Sequence, residues 1–349
     1  MLIEGIFAAI PTPFYPDERL YLRKLEANVS RYSRSLLSGM VVLGSTGEAV
    51  TLNDAESREV LRTAAEAAAP DKVLIAGVGK ESVKTTVEMA EVAAEFRYDA
   101  VLVRTPSYYS NLMTTAAVLH HFRSVADRSP LPVLLYHIPK FVPYDFPVEV
   151  VAELAQHPNI IGIKDSSGDV KRIADVVAAT RSIPRRTVTV TPVLEAVTAR
   201  MLAVKMEAEA GLVAITDMGG GPAVAAPTVG MRTRTKEVGF QVMSGSAGTL
   251  FEALEAGAAG AVLAFAACAP QACQEIYQAW KDHDKKLALE KQERIAGPSQ
   301  RIAAALGING IKAACDFNGY YGGRARAPLI PVTAEERSEI ESLLAGIRN

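Results

Sequence analysis

A lysine, a tyrosine and two adjacent hydroxyl residues are the side chains of this sequence whose types suit chemistry on a carbonyl compound. Lys164 follows the apolar stretch 159–163, Tyr136 ends another apolar run, and Ser45 and Thr46 follow a third. A neutral amine attacks a ketone to give a Schiff base, and the protonated imine withdraws electrons from the neighbouring C–C bond. A tyrosine hydroxyl can pass the protons that such a reaction moves. These four residues are therefore the candidate site.

Each of these residues also has an ordinary structural interpretation. Lys164 could begin an exposed loop with its amine in water, or it could lie in a desolvated pocket as a nucleophile. Tyr136 could pack under a rim with its hydroxyl bonded to backbone. The segment 45–47 could be only a turn that leads into a helix. Their shared position at the ends of three predicted strands favours a site.

Alternating strand and helix patterns predict the fold that positions these residues. Apolar runs bounded by turn residues predict strands, and apolar residues at helical spacing predict the helices between them. Continuously apolar strands are typical of parallel strands buried on both faces. Eight strand–helix units fit a (β/α)8 TIM barrel better than an open sheet. The predicted strands are 5–10, 40–44, 73–78, 100–103, 133–136, 159–164, 240–243 and 260–265.

The helical patterns fall between these strands. Thr51 and Asp54 resemble a capping box at the start of the second helix. The predicted helices are 20–36, 51–69, 83–96, 114–127, 147–156 and 170–180, with two more beginning at 248 and 270.

Two parts of the chain lie outside the eight units. Residues 286–349 predict a helical C-terminal subdomain after a barrel domain at 1–285. Residues 185–237 form an insertion between helix six and strand seven, far longer than an ordinary connection. It contains a helix-like piece at 193–208, a strand-like piece at 212–215 and a glycine cluster at 219–221. Two interpretations of this segment are open. It could be an insertion on the barrel that changes the shape of the pocket near strand seven, or it could be sequence that the fold does not need.

Bulk composition narrows the function classes. The chain has 349 residues, 49% hydrophobic and 22% charged, with a formal net charge of −2. This balance gives no polyanion-binding signature, so we expect no nucleic-acid partner. Three cysteines without paired spacing favour neither disulfides nor a metal site. No signal peptide and no apolar stretch of membrane-spanning length are visible. We expect a cytoplasmic protein with no membrane partner; a mitochondrial matrix location is the alternative, although no transit peptide is seen.

Three segments together resemble the dihydrodipicolinate synthase/N-acetylneuraminate lyase family of class I aldolases. Their order and spacing match that family, and the resemblance covers about 2–182 and 239–336. It implies a Schiff base between Lys164 and a 2-oxo acid, usually pyruvate, and no other cofactor or metal. The segments are Gly44-Ser45-Thr46-Gly47-Glu48, Tyr136-His137-Ile138-Pro139 and Ile163-Lys164-Asp165-Ser166.

The resemblance also implies roles for the surrounding residues. Tyr136 would be the general acid/base, linked through Thr46 to Tyr108 (or to Tyr109), a residue that in this family enters the neighbouring subunit's site. The chain would therefore act as a homo-oligomer, a dimer or a tetramer. The implied substrate-binding residues are Ser45 and Thr46 for the carboxylate, with Ser166, Gly245 and Val262 around the pocket.

Within the family, the segments 156–162, 240–248 and 317–323 most resemble the 4-hydroxy-2-oxoglutarate aldolase branch. Dihydrodipicolinate synthases typically carry an arginine where this chain has Phe141, next to Lys140. The resemblance thus implies cleavage of 4-hydroxy-2-oxoglutarate to pyruvate and glyoxylate. The alternatives are condensation of pyruvate with aspartate semialdehyde, as in dihydrodipicolinate synthase, or a 2-keto-3-deoxy sugar-acid aldolase or dehydratase. A non-enzymatic 2-oxo-acid-binding barrel, its site blocked by the insertion, is the alternative outside enzymes.

Overall fold

The computed structural model of the protein describes residues 1–191, 196–203 and 233–347. Within these ranges the strands are β1 Gly5–Ala9, β2 Gly39–Val42, β3 Val73–Gly77, β4 Ala100–Arg104, β5 Val133–His137, β6 Ile160–Asp165, β7 Arg186–Val190, β8 Arg234–Val238, β9 Gln241–Ser244 and β10 Gly260–Leu263. Eight of them close into a parallel barrel in the order β1-β10-β9-β6-β5-β4-β3-β2, which confirms the predicted (β/α)8 barrel. The other two, β7 and β8, form a separate antiparallel pair.

The barrel strands are largely apolar because their side chains alternate between two buried layers, and their polar residues, such as Gln241 of β9 and Asp165 of β6, lie at strand ends. In β1, Phe7 and Ala9 belong to the cluster inside the barrel, whereas Ile6 and Ala8 belong to the layer between the barrel and its helices. A strand buried on both faces has no position for a solvated side chain. The continuous apolar runs of the sequence follow from this arrangement.

An extra residue in β6 sets the direction of its last side chains. Val133 of β5 pairs with Ile160, but the next residue, Leu134, pairs with Gly162, so Ile161 has no counterpart. One extra residue reverses the alternation of side chains beyond it. Ile163 consequently joins the outer layer, and Lys164 points into the barrel.

Helices follow the barrel strands, as predicted, with one correction at the start of α2. Asn53, not Thr51, caps this helix: its side chain accepts from the N–H of Glu56 and completes a capping box. In the part of the chain that the structure describes, the helices are α1 Leu22–Ser33, α2 Asp54–Ala67, α3 Val83–Glu95, α4 Thr115–Arg128, α5 Val148–Leu154, α6 Val170–Thr180, α7 Leu250–Glu255, α8 Pro270–Lys281, α9 Lys285–Ser299, α10 Gly307–Phe317 and α11 Ala334–Leu344.

The helices after the barrel pack partly over the carboxyl ends of its strands. α9 continues into a π-helical stretch, Gln300–Ala305, and then into α10. The division into domains at residue 285 coincides with the start of α9 and stays a prediction. None of the described helices is both long and apolar enough to cross a membrane.

The described part of the insertion lies at the amino-terminal end of the barrel. Arg186 of β7 donates to the carbonyl of Ile160, where β6 begins, and the N–H of Ala199 donates to Asp99, just before β4. The insertion leaves and rejoins the barrel at this end because it connects a helix to the following strand. Of the predicted helix-like piece, 196–203 is described; the pieces at 212–215 and 219–221 lie outside the described residues.

Candidate active site

Lys164 and Tyr136 face each other at the carboxyl ends of neighbouring strands. They are register partners on β6 and β5, and both are buried, with 4% and 7% of their surfaces exposed. The Nζ of Lys164 lies 3.2 Å from the hydroxyl of Tyr136 and 4.3 Å from its ring centroid. Within the described ranges, no carboxylate forms an ion pair with Lys164. The amine is thus desolvated beside a hydroxyl, as imine chemistry requires.

Ser45 extends this pair to a third strand. It opens the 3-10 turn Ser45–Gly47 that follows β2, and its Oγ lies 3.4 Å from the Tyr136 hydroxyl. The turn thus presents Ser45 to the tyrosine, and the expected link from Tyr136 through Thr46 to a second tyrosine stays a prediction. Thr46 is buried, and its hydroxyl has no hydrogen-bond partner in the described part of the chain. That hydroxyl is available to a ligand.

A cavity of about 780 Å³ joins these residues to the C-terminal helices. Among its described lining residues, Lys140 and Lys164 carry the charges, and no carboxylate is present. Lys140 reaches across the opening, where its Nζ donates to the carbonyl of Ala304, 2.7 Å away. Two lysines and several hydroxyls in a cavity without acids suit an anionic substrate.

The other predicted pocket residues divide into two groups. Ser166 and Gly245 line the cavity and touch: a Cβ on Gly245 would lie 2.0 Å from the Oγ of Ser166, so the position requires glycine. Val262 does not line the cavity. It is 1% exposed and packs in the cluster inside the barrel that also contains Tyr136. It therefore contributes to the core inside the barrel, and its expected place around the substrate pocket is not supported.

Asp165 and Arg172 hold the strand end behind the lysine, and the sequence did not single them out. Asp165 is buried and accepts from Ser167 N–H at 2.9 Å and from Arg172 Nε at 2.7 Å. Burial and the nearby Arg172 lower the pKa of His137, and the Asp165 carboxylate partly opposes this shift. An aspartate followed two residues later by a serine is a local turn signal that could have indicated the first contact. No local pattern indicates the ion pair.

Tyr108 lies at the loop after β4, apart from the Lys164 cavity. Its side chain is 79% exposed, and its ring contacts that of Tyr109 edge-on. With Ser45 and Tyr136 it lines a second cavity of about 440 Å³. The proposed role in a neighbouring subunit is compatible with this exposure and stays a prediction.

The sequence matches the model of the dihydrodipicolinate synthetase family over residues 2–185 and 211–347. The chain belongs to this family. Its members are pyruvate-dependent lyases and synthases that form a Schiff base with the substrate and need no external cofactor. The protein is accordingly an enzyme, a carbon–carbon lyase of the class I aldolase type.

Individual relatives agree along nearly the whole chain. The 4-hydroxy-tetrahydrodipicolinate synthase of Acidiphilium cryptum is 26% identical over 346 residues, 99% of each chain. A crystal structure of the dihydrodipicolinate synthase from Acinetobacter baumannii, complexed with pyruvate, superposes with a TM-score of 0.78 at 25% identity, covering 99% of this chain and 100% of that one. YagE from E. coli K12, also in complex with pyruvate, superposes equally well at 23% identity, covering 99% of each chain.

Proposed function

We propose that the protein cleaves 4-hydroxy-2-oxoglutarate to pyruvate and glyoxylate through a Schiff base on Lys164. The observation that carries this proposal is the buried contact of Lys164 with Tyr136, 3.2 Å apart, in a cavity lined by a second lysine and by hydroxyls. The coarser activity, that of a Schiff-base lyase, follows from the family. The substrate is the part that we propose.

The proposed steps assign a task to each residue. The Lys164 amine attacks the C2 carbonyl, and loss of water gives a protonated imine. Tyr136 takes the proton of the C4 hydroxyl as the C3–C4 bond breaks, which releases glyoxylate and leaves an enamine. Protonation at C3 and hydrolysis of the imine then release pyruvate and regenerate the amine. Ser45 relays protons to and from Tyr136, at 3.4 Å.

Substrate binding uses the free hydroxyls of the cavity. Thr46, with Ser45, is proposed to hold the C1 carboxylate. Ser166, whose hydroxyl has no hydrogen-bond partner among the described residues, is proposed to contact the C4 substituent. Lys140 at the opening supplies charge for the second carboxylate of a dicarboxylic substrate.

The second candidate is condensation of pyruvate with aspartate semialdehyde. The names of the relatives favour it: the curated relative from Acidiphilium cryptum and the structure from Acinetobacter baumannii are both such synthases. Phe141, 53% exposed at the cavity opening, replaces the arginine that the resemblance associates with that second substrate. This difference is why we place the aldolase first.

Two measurements test the proposal in sequence. Borohydride reduction with pyruvate, followed by peptide mass spectrometry, is expected to place the adduct on Lys164. A Lys140→Ala variant is the control, since it removes the other lysine of the cavity and should leave the adduct in place. An adduct on any other residue, or none, contradicts the Schiff-base assignment.

Comparison of partner aldehydes then separates the two activities. We expect pyruvate release from 4-hydroxy-2-oxoglutarate and, in reverse, consumption of glyoxylate with pyruvate. Faster consumption of aspartate semialdehyde than of glyoxylate would favour the synthase. Pyruvate trapping without turnover of any partner would favour the binding barrel.

We further propose that the active unit is a homo-oligomer in which Tyr108 completes a neighbour's site. Its 79% exposure supports this. Sedimentation of active enzyme tests it, and a fully active monomer would remove Tyr108 from the mechanism. The cytoplasmic location stays a prediction from the sequence.

A further inference from the structure

Glu48, the last residue of the motif 44–48, connects two walls of the site. Its carboxylate forms an ion pair with the Lys312 ammonium, and the two side chains are 0% and 1% exposed. Lys312 lies on α10, the helix whose Ile308 and Ile311 line the cavity. The pair therefore joins the turn that carries Ser45 to a neighbouring helix that lines the same cavity.

On the turn side, Glu48 is held by its backbone as well as by its carboxylate. Its φ of 55° lies in the left-handed region, which a non-glycine residue rarely adopts. Its N–H donates to the carbonyl of Ser45 at 3.1 Å, and its second carboxylate oxygen accepts from the N–H of Arg326 at 2.8 Å. Movement of this carboxylate would be transmitted directly to the residue that contacts Tyr136.

On the helix side, Lys312 is fixed by several contacts. Its Nζ donates to the carbonyl of Arg324 at 2.9 Å and lies 4.6 Å from the ring centroid of Phe14. Burial lowers the pKa of Lys312, and the Glu48 carboxylate opposes that shift. Without the Glu48 carboxylate, the buried ammonium would strongly destabilise the folded protein.

We propose that the Glu48–Lys312 pair is a positioning element that sets the distance between the 45–47 turn and α10, and thereby the affinity for the substrate carboxylate. This inference rests on the proposed function, which assigns that carboxylate to Ser45 and Thr46. A buried ion pair often adds little stability compared with apolar residues of the same size. Its location between two walls of the cavity assigns it a geometric role.

The test uses Glu48→Gln and Lys312→Met, singly and together. The measurement is the pyruvate concentration that gives half-maximal borohydride trapping on Lys164. We expect this concentration to rise about tenfold in each variant, because the hydroxyls of the turn are displaced. The maximal extent of trapping should stay unchanged, since Lys164 and Tyr136 are retained.

The matched control is Arg200→Met, which breaks the buried ion pair with Asp99 at the other end of the barrel. It should lower the melting temperature without moving the half-saturating concentration. The double variant removes both charges of the pair and leaves neither one unpaired, so it is expected to fold even where a single variant does not. A folded double variant with wild-type half-saturation would overturn the inference.

Failure of the proposed function has a different signature. It would appear as absence of the Lys164 adduct in the wild-type enzyme. Calorimetric titration with pyruvate then replaces trapping: weaker binding to the double variant supports the positioning role, and equal binding rejects it.

Discussion

The two ends of the barrel use polar residues in opposite ways. At the amino-terminal end, Asp99 accepts from the N–H groups of Leu74 and Ala199, and Gln241 accepts from Ile3. At the carboxyl end, the hydroxyls of Thr46 and Ser166 have no hydrogen-bond partners among the residues that the structure describes. Satisfied buried groups stabilise a fold, whereas unsatisfied groups around a cavity are available to a ligand.

The insertion belongs to the stabilised end. Val188, Val190 and Val238 of β7 and β8 pack with residues inside the barrel, and Lys236 forms an ion pair with Glu4, ahead of β1. The described part of the insertion therefore covers the end of the barrel farthest from Lys164. The expectation that it perturbs the pocket near Gly245 finds no support in these contacts.

The largest effect should come from the carboxyl end. Lys164→Ala removes the proposed nucleophile, and we expect turnover of 4-hydroxy-2-oxoglutarate to fall by at least about 10³-fold. The assay is coupled pyruvate release, with a melting curve to show that the variant is folded. Retention of more than a tenth of wild-type turnover would break the assignment of this end as the catalytic one.

A smaller loss is expected for Tyr136→Phe. The variant keeps the ring that packs inside the barrel but loses the hydroxyl between Lys164 and Ser45. We expect kcat to fall by roughly 10²-fold, a usual contribution of general acid–base catalysis. Borohydride trapping with pyruvate should still mark Lys164. Wild-type turnover would exclude the tyrosine from proton transfer.

At the amino-terminal end, Arg200→Ala should change stability and leave catalysis unaffected. Arg200 is 8% exposed, with its guanidinium 3.7 Å from the Asp99 carboxylate. Its removal leaves that carboxylate without its cation, which we expect to cost about 1–3 kcal/mol of unfolding free energy. Urea denaturation measures this, with the exposed Arg181→Ala as control. A change in kcat/KM beyond twofold would show that the two ends are coupled.

The smallest effects are in the pH dependence of stability, where the two ends should have opposite signs. Burial lowers the pKa of His137, so the folded protein favours the neutral imidazole. The contribution of this imidazole to the free energy of unfolding is present above pH about 6.5 and is lost as pH falls below that value. Burial raises the pKa of Asp99 despite the opposing effect of Arg200. Its contribution is therefore present below pH about 4 and is lost as pH rises through the raised pKa.

Urea midpoints between pH 4 and pH 7 measure both effects. His137→Asn should flatten the acid side of the profile, and Asp99→Asn should remove the opposite slope. Each slope is at most about 1.4 kcal/mol per pH unit for one proton. Because burial also lowers the pKa of His121, to about 4, the His137 effect is read as variant minus wild type. A His137-dependent stability that falls with rising pH, or an Asp99-dependent stability that rises with it, would contradict the predicted difference between the two ends of the barrel.

The sequence predicted the barrel well because most of its strands are apolar runs between turn residues. It also placed Lys164, Tyr136 and Ser45 at strand ends, where the fold brings them together. Adjacent hydroxyls were harder: Ser45 and Thr46 are chemically alike, and only the backbone of the 3-10 turn decides which one meets Tyr136. The partner of Glu48 lies on α10, and no local pattern connects two such distant segments.

The depth of a residue along a barrel strand was also difficult to predict from the sequence. Val262 lies in the third position of β10, below the cavity, and an apolar run does not show how deep each residue sits. The place of the insertion could have been inferred, since a connection from a helix to the next strand of a barrel lies at the amino-terminal end.

The extra residue Ile161 makes the direction of Lys164 a matter of counting. A regular strand that kept every residue from Ile160 to Lys164 would turn the amine toward the helix layer, whereas removal of Ile161 would leave Lys164 opposite Tyr136. A designer who transplants this lysine into another barrel must therefore count from the neighbouring tyrosine strand and not from the start of β6. A sequence alignment that closes a one-residue gap at this point would likewise assign the lysine to the wrong side of the sheet.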